Sequence, residues 1–231
     1  MHTYLWTSAV LLAAVAPSVT AVNQLAVLQA STAAAGTAIP NFNLNQFPVS
    51  NSQFCRQIFQ ENRAVQASNG SQIKTGACSS TPMGQIPTFN NMVSTLITNP
   101  VAGATLNAAV DNTVTIDLLN MATGFFDDPQ QQYYIFPQSL NNQGNIQGHN
   151  HITIQTLAVN AAPDPRAFVF FKGLNQASPD GRTLSVTVPA GTFKVNGVHR
   201  ICSLAGTFSH QPVVMPVAQR GAQDDCIRII V

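Results

Sequence analysis

The sequence predicts an all-β chain: an antiparallel β-sandwich preceded by a short N-terminal helix and an irregular N-terminal arm. Three observations predict it. From Asp111 onward apolar and polar residues alternate, as in Thr113 to Leu119, where Val114, Ile116 and Leu118 interleave with Thr and Asp. Clusters of Gly, Pro, Asn and Asp separate these runs at short intervals, the punctuation of successive antiparallel strands. Four cysteines follow an apolar leader, and an even number in such a chain reads as a disulfide framework.

Taken in order, residues 1–21 read as a secretory signal peptide. Ser8 to Pro17 is apolar but too short to span a bilayer, and Val19-Thr20-Ala21 offers small residues for cleavage after Ala21. Residues 22–51 carry no charge and read as an arm or linker, leaving 52–231 as a single secreted domain. Ser52 to Val65 is the helix: Phe54, Ile58 and Phe59 recur at helical spacing, and Ser52 can cap it. Met92 to Ile97 reads as a strand or a helical turn.

Beyond Thr113 to Leu119, the turn Asp127-Asp128-Pro129 leads into the aromatic segment Tyr133 to Phe136. Gly144 to Leu157 then runs from a turn through Gly148-His149-Asn150-His151 into a strand. Ala167 to Lys172 reads as a buried strand, joined through a hairpin at Pro179-Asp180-Gly181 to Thr183 to Val188. Thr192 to Val195, His199 to Leu204, Val213 to Val217 and Cys226 to Val231 complete the set. Of the three possible pairings, Cys55–Cys78 and Cys202–Cys226 each close a short local loop, and each contributes roughly 3 kcal/mol by restricting the unfolded chain.

Charge is sparse, with 10 basic and 9 acidic residues. No basic patch exists to attract phosphate, which argues against a nucleic-acid partner. No second apolar run of spanning length follows the leader, so the expectation is an extracellular protein with no membrane span. Asn69-Gly70-Ser71 is a glycosylation sequon in a polar loop.

Chemistry concentrates in the histidine segment. Side chains alternate along a strand, so His149 and His151 point to one face while Ile152 and Ile154 point to the other. His210, on a late loop, can close over the pair. Three imidazoles and a water suit copper or zinc; the other reading is a structural cluster that pins strands through hydrogen bonds. Asp224 and Asp225, or Asp127 and Asp128, can provide a carboxylate, and Tyr133 and Tyr134 form a candidate platform for stacking a sugar. Adjacent Asp residues make poor acid–base dyads, and Glu61 is the only glutamate, so no glycosidase pair is arranged. Nucleophile-elbow, zinc-protease, phosphate-loop and dinucleotide motifs are all missing, and no catalytic residue is assigned.

Several stretches together resemble a family of small secreted fungal proteins: Pro82 to Pro87, Thr123 to Pro129, Gly148 to His151, Phe170 to Asn175, His210-Gln211-Pro212, and Pro216 to Gln219 through Asp224-Asp225. The resemblance implies secretion, a β-rich fold and a role at a cell or host surface, with no activity to carry over. Arg220 stands where similar proteins often have His, and Arg228 where an aromatic is common, which suggests an exposed edge. The resulting expectation is a non-catalytic extracellular protein that binds cell-wall glycan or a host surface component. The rival is a metal-dependent enzyme using His149, His151 and His210.

Overall fold

The computed structural model describes residues 52–231 apart from 63, 159 and 160. The expected signal peptide and arm lie outside the described residues. Within them the fold is all-β: two facing sheets, a small flap and one short helix.

The flap comes first. Helix α1 (Gln53–Glu61) is capped by Ser52, whose hydroxyl accepts from the Cys55 amide. Strands β1 (Gln66–Ala67) and β2 (Ala77–Cys78) pair in parallel, and the Cys55–Cys78 disulfide ties helix to strand. Only Cys55 is buried on α1; Phe54 is exposed. A single 3-10 turn, Phe89–Asn91, precedes β3 (Ser94–Asn99).

One sheet has the order β3–β4–β8, with β4 at Asn112–Leu119 and β8 at Thr183–Val188, all antiparallel. Val114, Ile116 and Leu118 on β4 are buried, as the alternation predicts. The other sheet is built on β6 (Ile146–Thr156). β9 (Val198–Thr207) lies antiparallel along one side of β6, with β10 (Cys226–Ile230) beyond it. β7 (Phe170–Leu174) pairs antiparallel on the other side of β6, and the short β5 (Met121–Ala122) pairs there in parallel. Ile152, Ile154, Ile201 and Ile229 from this sheet meet Ile97, Ile116, Leu118 and Leu184 from the other in one apolar core. Cys202 and Cys226 sit directly opposite each other in the β9–β10 ladder and form the second disulfide.

The structure corrects four expectations. The turn at Pro179-Asp180-Gly181 does not close a hairpin: β7 pairs with β6 and β8 with β4, so the chain crosses between sheets there. Local turn chemistry fixes the reversal, but the partner of each strand is set by which sheet buries it. The strand expected at Ala167 to Lys172 starts only at Phe170, and Phe168 and Phe171 are exposed rather than buried. Thr192 to Val195 and Val213 to Val217 are irregular. Arg228 is exposed on the edge strand β10, as the departure from the family pattern suggests.

Two residues of the Gly148-His149-Asn150-His151 run are fixed by the core side. A Cβ on Gly148 would lie 2.1 Å from the Gly206 carbonyl oxygen, so only glycine lets β6 and β9 approach this closely. Asn150 is fully buried; its side chain accepts from the Leu204 amide and donates to Thr95, linking the two sheets.

Candidate functional site

The outer face of β6 carries Gln147, His149, His151, Thr153 and Gln155, alternating with the core residues. Over this face fold two segments distant in sequence, the 125–136 loop and the turn at 207–212. They are laced together. Asp127 donates its amide to the Phe208 carbonyl, and Tyr134 donates its amide to the Ser209 carbonyl. The Ser209 hydroxyl accepts from the Phe136 amide and donates to the Phe136 carbonyl. Phe136 and Phe208 pack edge to face beneath this junction. His210 and Tyr134 both adopt left-handed backbone, at φ 73° and 61°, which few non-glycine residues tolerate; such backbone clusters at functional sites.

This lacing brings His210 onto the β6 pair. One nitrogen from each of His149, His151 and His210 lies within 4.8 Å of the other two. His149 is completely buried, and the other two are partly buried. Its Nδ1 lies 3.1 Å from the Phe125 carbonyl oxygen, and its Nε2 lies 3.1 Å from His210 Nδ1. His210 Nε2 in turn lies 2.8 Å from the Asp127 carbonyl oxygen. His151 hydrogen-bonds the Leu204 backbone and stacks on Phe171 at 5.1 Å between centroids. Phe126 stands edge-on to both His149 and His210.

Burial sets the electrostatics. It holds the His149 imidazolium well below its usual range, and repulsion from His151 and His210 adds to the effect. His151 is pushed down to about 4, by burial first and then by His210. His210 is lowered by burial, against a smaller upward pull from the Asp127 carbonyl and Asp128. All three rings are therefore neutral at pH 7 and have lone pairs to offer.

A cavity of about 640 Å³ opens above His151 and His210. Tyr133 and Tyr134, stacked at 4.0 Å, form one wall, with Phe126 and Phe171 nearby. Burial raises the Tyr133 phenol, and a hydrogen bond with Tyr134 raises it further. Asp224 reaches the rim, where burial raises its carboxyl while the Ala205 amide and Ser203 hydroxyl bond it. Among the described residues, no Lys or Arg lines this cavity. A second cavity, of about 510 Å³ beside Phe168, is flanked by the Asp164–Arg166 ion pair, but no metal-ligating cluster forms there among the described residues.

Of the residues singled out from sequence, His149, His151, His210, Tyr133, Tyr134 and Asp224 converge. Asp225 does not: its carboxylate accepts from the Ile97 amide and braces β3. Asn69 is exposed, with its Oδ1 accepting from the Ser71 amide. The sequence offers Asp127 for its carboxylate, whereas its backbone carbonyl is what meets His210; it gives no such pointer to the Phe125 carbonyl or to Phe126 and Phe171. All four lie in the family-like stretches Thr123 to Pro129 and Phe170 to Asn175. Arg220 hydrogen-bonds its own loop at Val217 and Gln223, and takes no part in the site.

Fold and site together define a disulfide-bonded β-sandwich protein with three convergent histidines under an aromatic-walled cavity. Residues 95–231 match the family model described as the CLU5d N-terminal domain, and the chain belongs to that family. The match takes in both sheets and every residue of the histidine cluster, and omits α1, β1 and β2. The chain is also similar to "Pathogenicity cluster 5 protein d" of the fungus Colletotrichum graminicola (strain M1.001 / M2 / FGSC 10212), with 45% identity over 170 residues. That alignment covers 72% of this chain and 35% of the relative, so the chain matches about a third of the relative's length. No solved structure matches the chain.

Proposed function

We propose that the protein works outside the cell, at a host or cell-wall surface, as a non-catalytic module that binds a neutral carbohydrate in the cavity beside Tyr133 and Tyr134. One observation carries the reading: the cavity has aromatic walls and amide and carboxylate groups, with no cationic side chain among the described residues of its lining. Sugar rings present C–H faces that stack on aromatics, and their hydroxyls satisfy amides and carboxylates. An anionic ligand would meet Asp224 with no Lys or Arg among the described lining residues to offset it. Two disulfides support an oxidising, extracellular setting, and the name of the fungal relative, a pathogenicity cluster protein, supports a role in contact with a host. In this reading Asn69 carries an N-glycan, checked by a mass shift after enzymatic deglycosylation.

The test is a binding titration of the disulfide-bonded protein with β-linked hexamers of glucose and of N-acetylglucosamine, with polygalacturonate as the anionic comparison. Expected is saturable binding of a neutral hexamer, weakened by about 2- to 10-fold in Tyr133→Ala through loss of one stacking ring. Binding of polygalacturonate alone, or neutral-sugar binding indifferent to Tyr133→Ala, would sink the reading.

A further inference from the structure

We infer that His149, His151 and His210 form a three-histidine centre for a single divalent transition-metal ion, copper or zinc, with a coordination position open to the cavity. This does not depend on the carbohydrate reading; it rests on where the ring protons must be. A carbonyl oxygen only accepts, so the ring nitrogen facing it must carry the hydrogen. His149 Nδ1 faces the Phe125 carbonyl at 3.1 Å, and His210 Nε2 faces the Asp127 carbonyl at 2.8 Å. Each neutral ring has only one N–H, and both are used in these contacts. His149 Nε2 and His210 Nδ1 are left facing each other at 3.1 Å, each with a lone pair and no hydrogen between them.

A purely structural cluster would place a hydrogen in that gap. A metal ion resolves the opposition instead, because both lone pairs then point at a cation. With each nitrogen about 2.0–2.1 Å from the ion, a 3.1 Å separation corresponds to an angle of about 100° at the metal. That lies between the right angle of a tetragonal copper site and the tetrahedral angle of zinc. His151 supplies the third nitrogen, within 4.8 Å of the other two.

The surroundings match a metal site in a second respect. A metal-bound histidine characteristically donates its remaining N–H to a carbonyl or carboxylate, which fixes tautomer and orientation. His149 and His210 do so to Phe125 and Asp127, and His151 is held at the Leu204 backbone. Three protein ligands leave at least one position for water or a ligand atom, as in open rather than closed sites. Since His151 and His210 line the cavity, that position faces it. His199 is not part of the cluster; it is buried with its ring nitrogens at Thr156 and the Gly197 carbonyl.

The test uses the disulfide-bonded protein, stripped with chelator and titrated with Cu²⁺ and with Zn²⁺. One ion per chain is expected for at least one of the two metals. His151→Gln and His210→Asn should each weaken binding by more than the roughly 10- to 100-fold typical of losing an outer-shell partner. Asn is chosen at 210 because it tolerates left-handed backbone. If copper binds, its paramagnetic spectrum should show coupling to imidazole nitrogens. Binding that neither variant weakens while its circular dichroism stays unchanged would overturn the site, as would the absence of stoichiometric binding. If a variant misfolds, ¹⁵N NMR of the metal-free unsubstituted protein decides. Nδ1–H on His149 together with Nε2–H on His210 is expected, and a hydrogen on either facing nitrogen would overturn the inference.

Discussion

The two faces of β6 are made by the same strand and obey different rules. Toward the core it presents Ile152 and Ile154, both fully buried in apolar contact with the opposite sheet. Toward the outside it presents His149, equally buried, but beneath polar loops whose backbone carbonyls hold its ring. Burial alone therefore says little about a residue's task. On the inner face burial is a stability term, roughly proportional to apolar area. On the outer face it removes water from three imidazoles and leaves their lone pairs available.

If the faces are independent, damaging one should spare the other. The largest effect belongs to the core: Ile154→Ala should cost about 2–5 kcal/mol in denaturant unfolding. Stoichiometric metal binding by the fraction that remains folded should persist. A core change that abolished metal binding in folded protein would break the comparison.

Ser209→Ala comes next, because it cuts the link between the 125–136 loop and the histidine turn. Its hydroxyl both accepts from and donates to Phe136 in a buried setting, so the loss is about 1–3 kcal/mol. Unlike the core change, it should also weaken metal binding, since His210 is the next residue. Calorimetry of the two variants side by side separates the faces.

Acid gives a more gradual probe of the outer face in metal-free protein. His149, His151 and His210 all titrate below the unfolded value near 6.5, so between that pH and the folded values the unfolded chain binds more protons. Stability from the neutral rings is complete above pH 6.5 and declines as pH falls toward about 4, where His151 takes up its proton. Each such ring adds a slope of at most about 1.4 kcal/mol per pH unit. Urea midpoints that stay flat between pH 7 and 5 would contradict this account of the outer face.

The smallest effect is that of Tyr133→Ala. Tyr133 stands in the half-buried cavity wall rather than in the core, and its stacking on Tyr134 is worth about 0.5–1.5 kcal/mol. Unfolding should change by about that amount while the cavity loses a wall. A loss on the scale of Ile154→Ala would show that the tyrosine pair is core after all.

By itself the sequence determined what depends on neighbours in the chain. Strand periodicity set β4, β6 and β9, and placed His149 and His151 on one face, because alternation is a property of the extended backbone. The Ser52 cap and the turn at Asp127-Asp128-Pro129 were legible because short polar side chains bond nearby backbone: Ser52 takes the Cys55 amide, and Asp128 takes the Gln130 amide. Pairing between sheets was not legible, so the turn at Pro179-Asp180-Gly181 looked like a hairpin. The carbonyls of Phe125 and Asp127 were equally silent, since every residue has a carbonyl and only its placement distinguishes it. Tertiary structure alone decided that these oxygens, separated in sequence from the histidines they hold, would fix two tautomers and leave two lone pairs face to face.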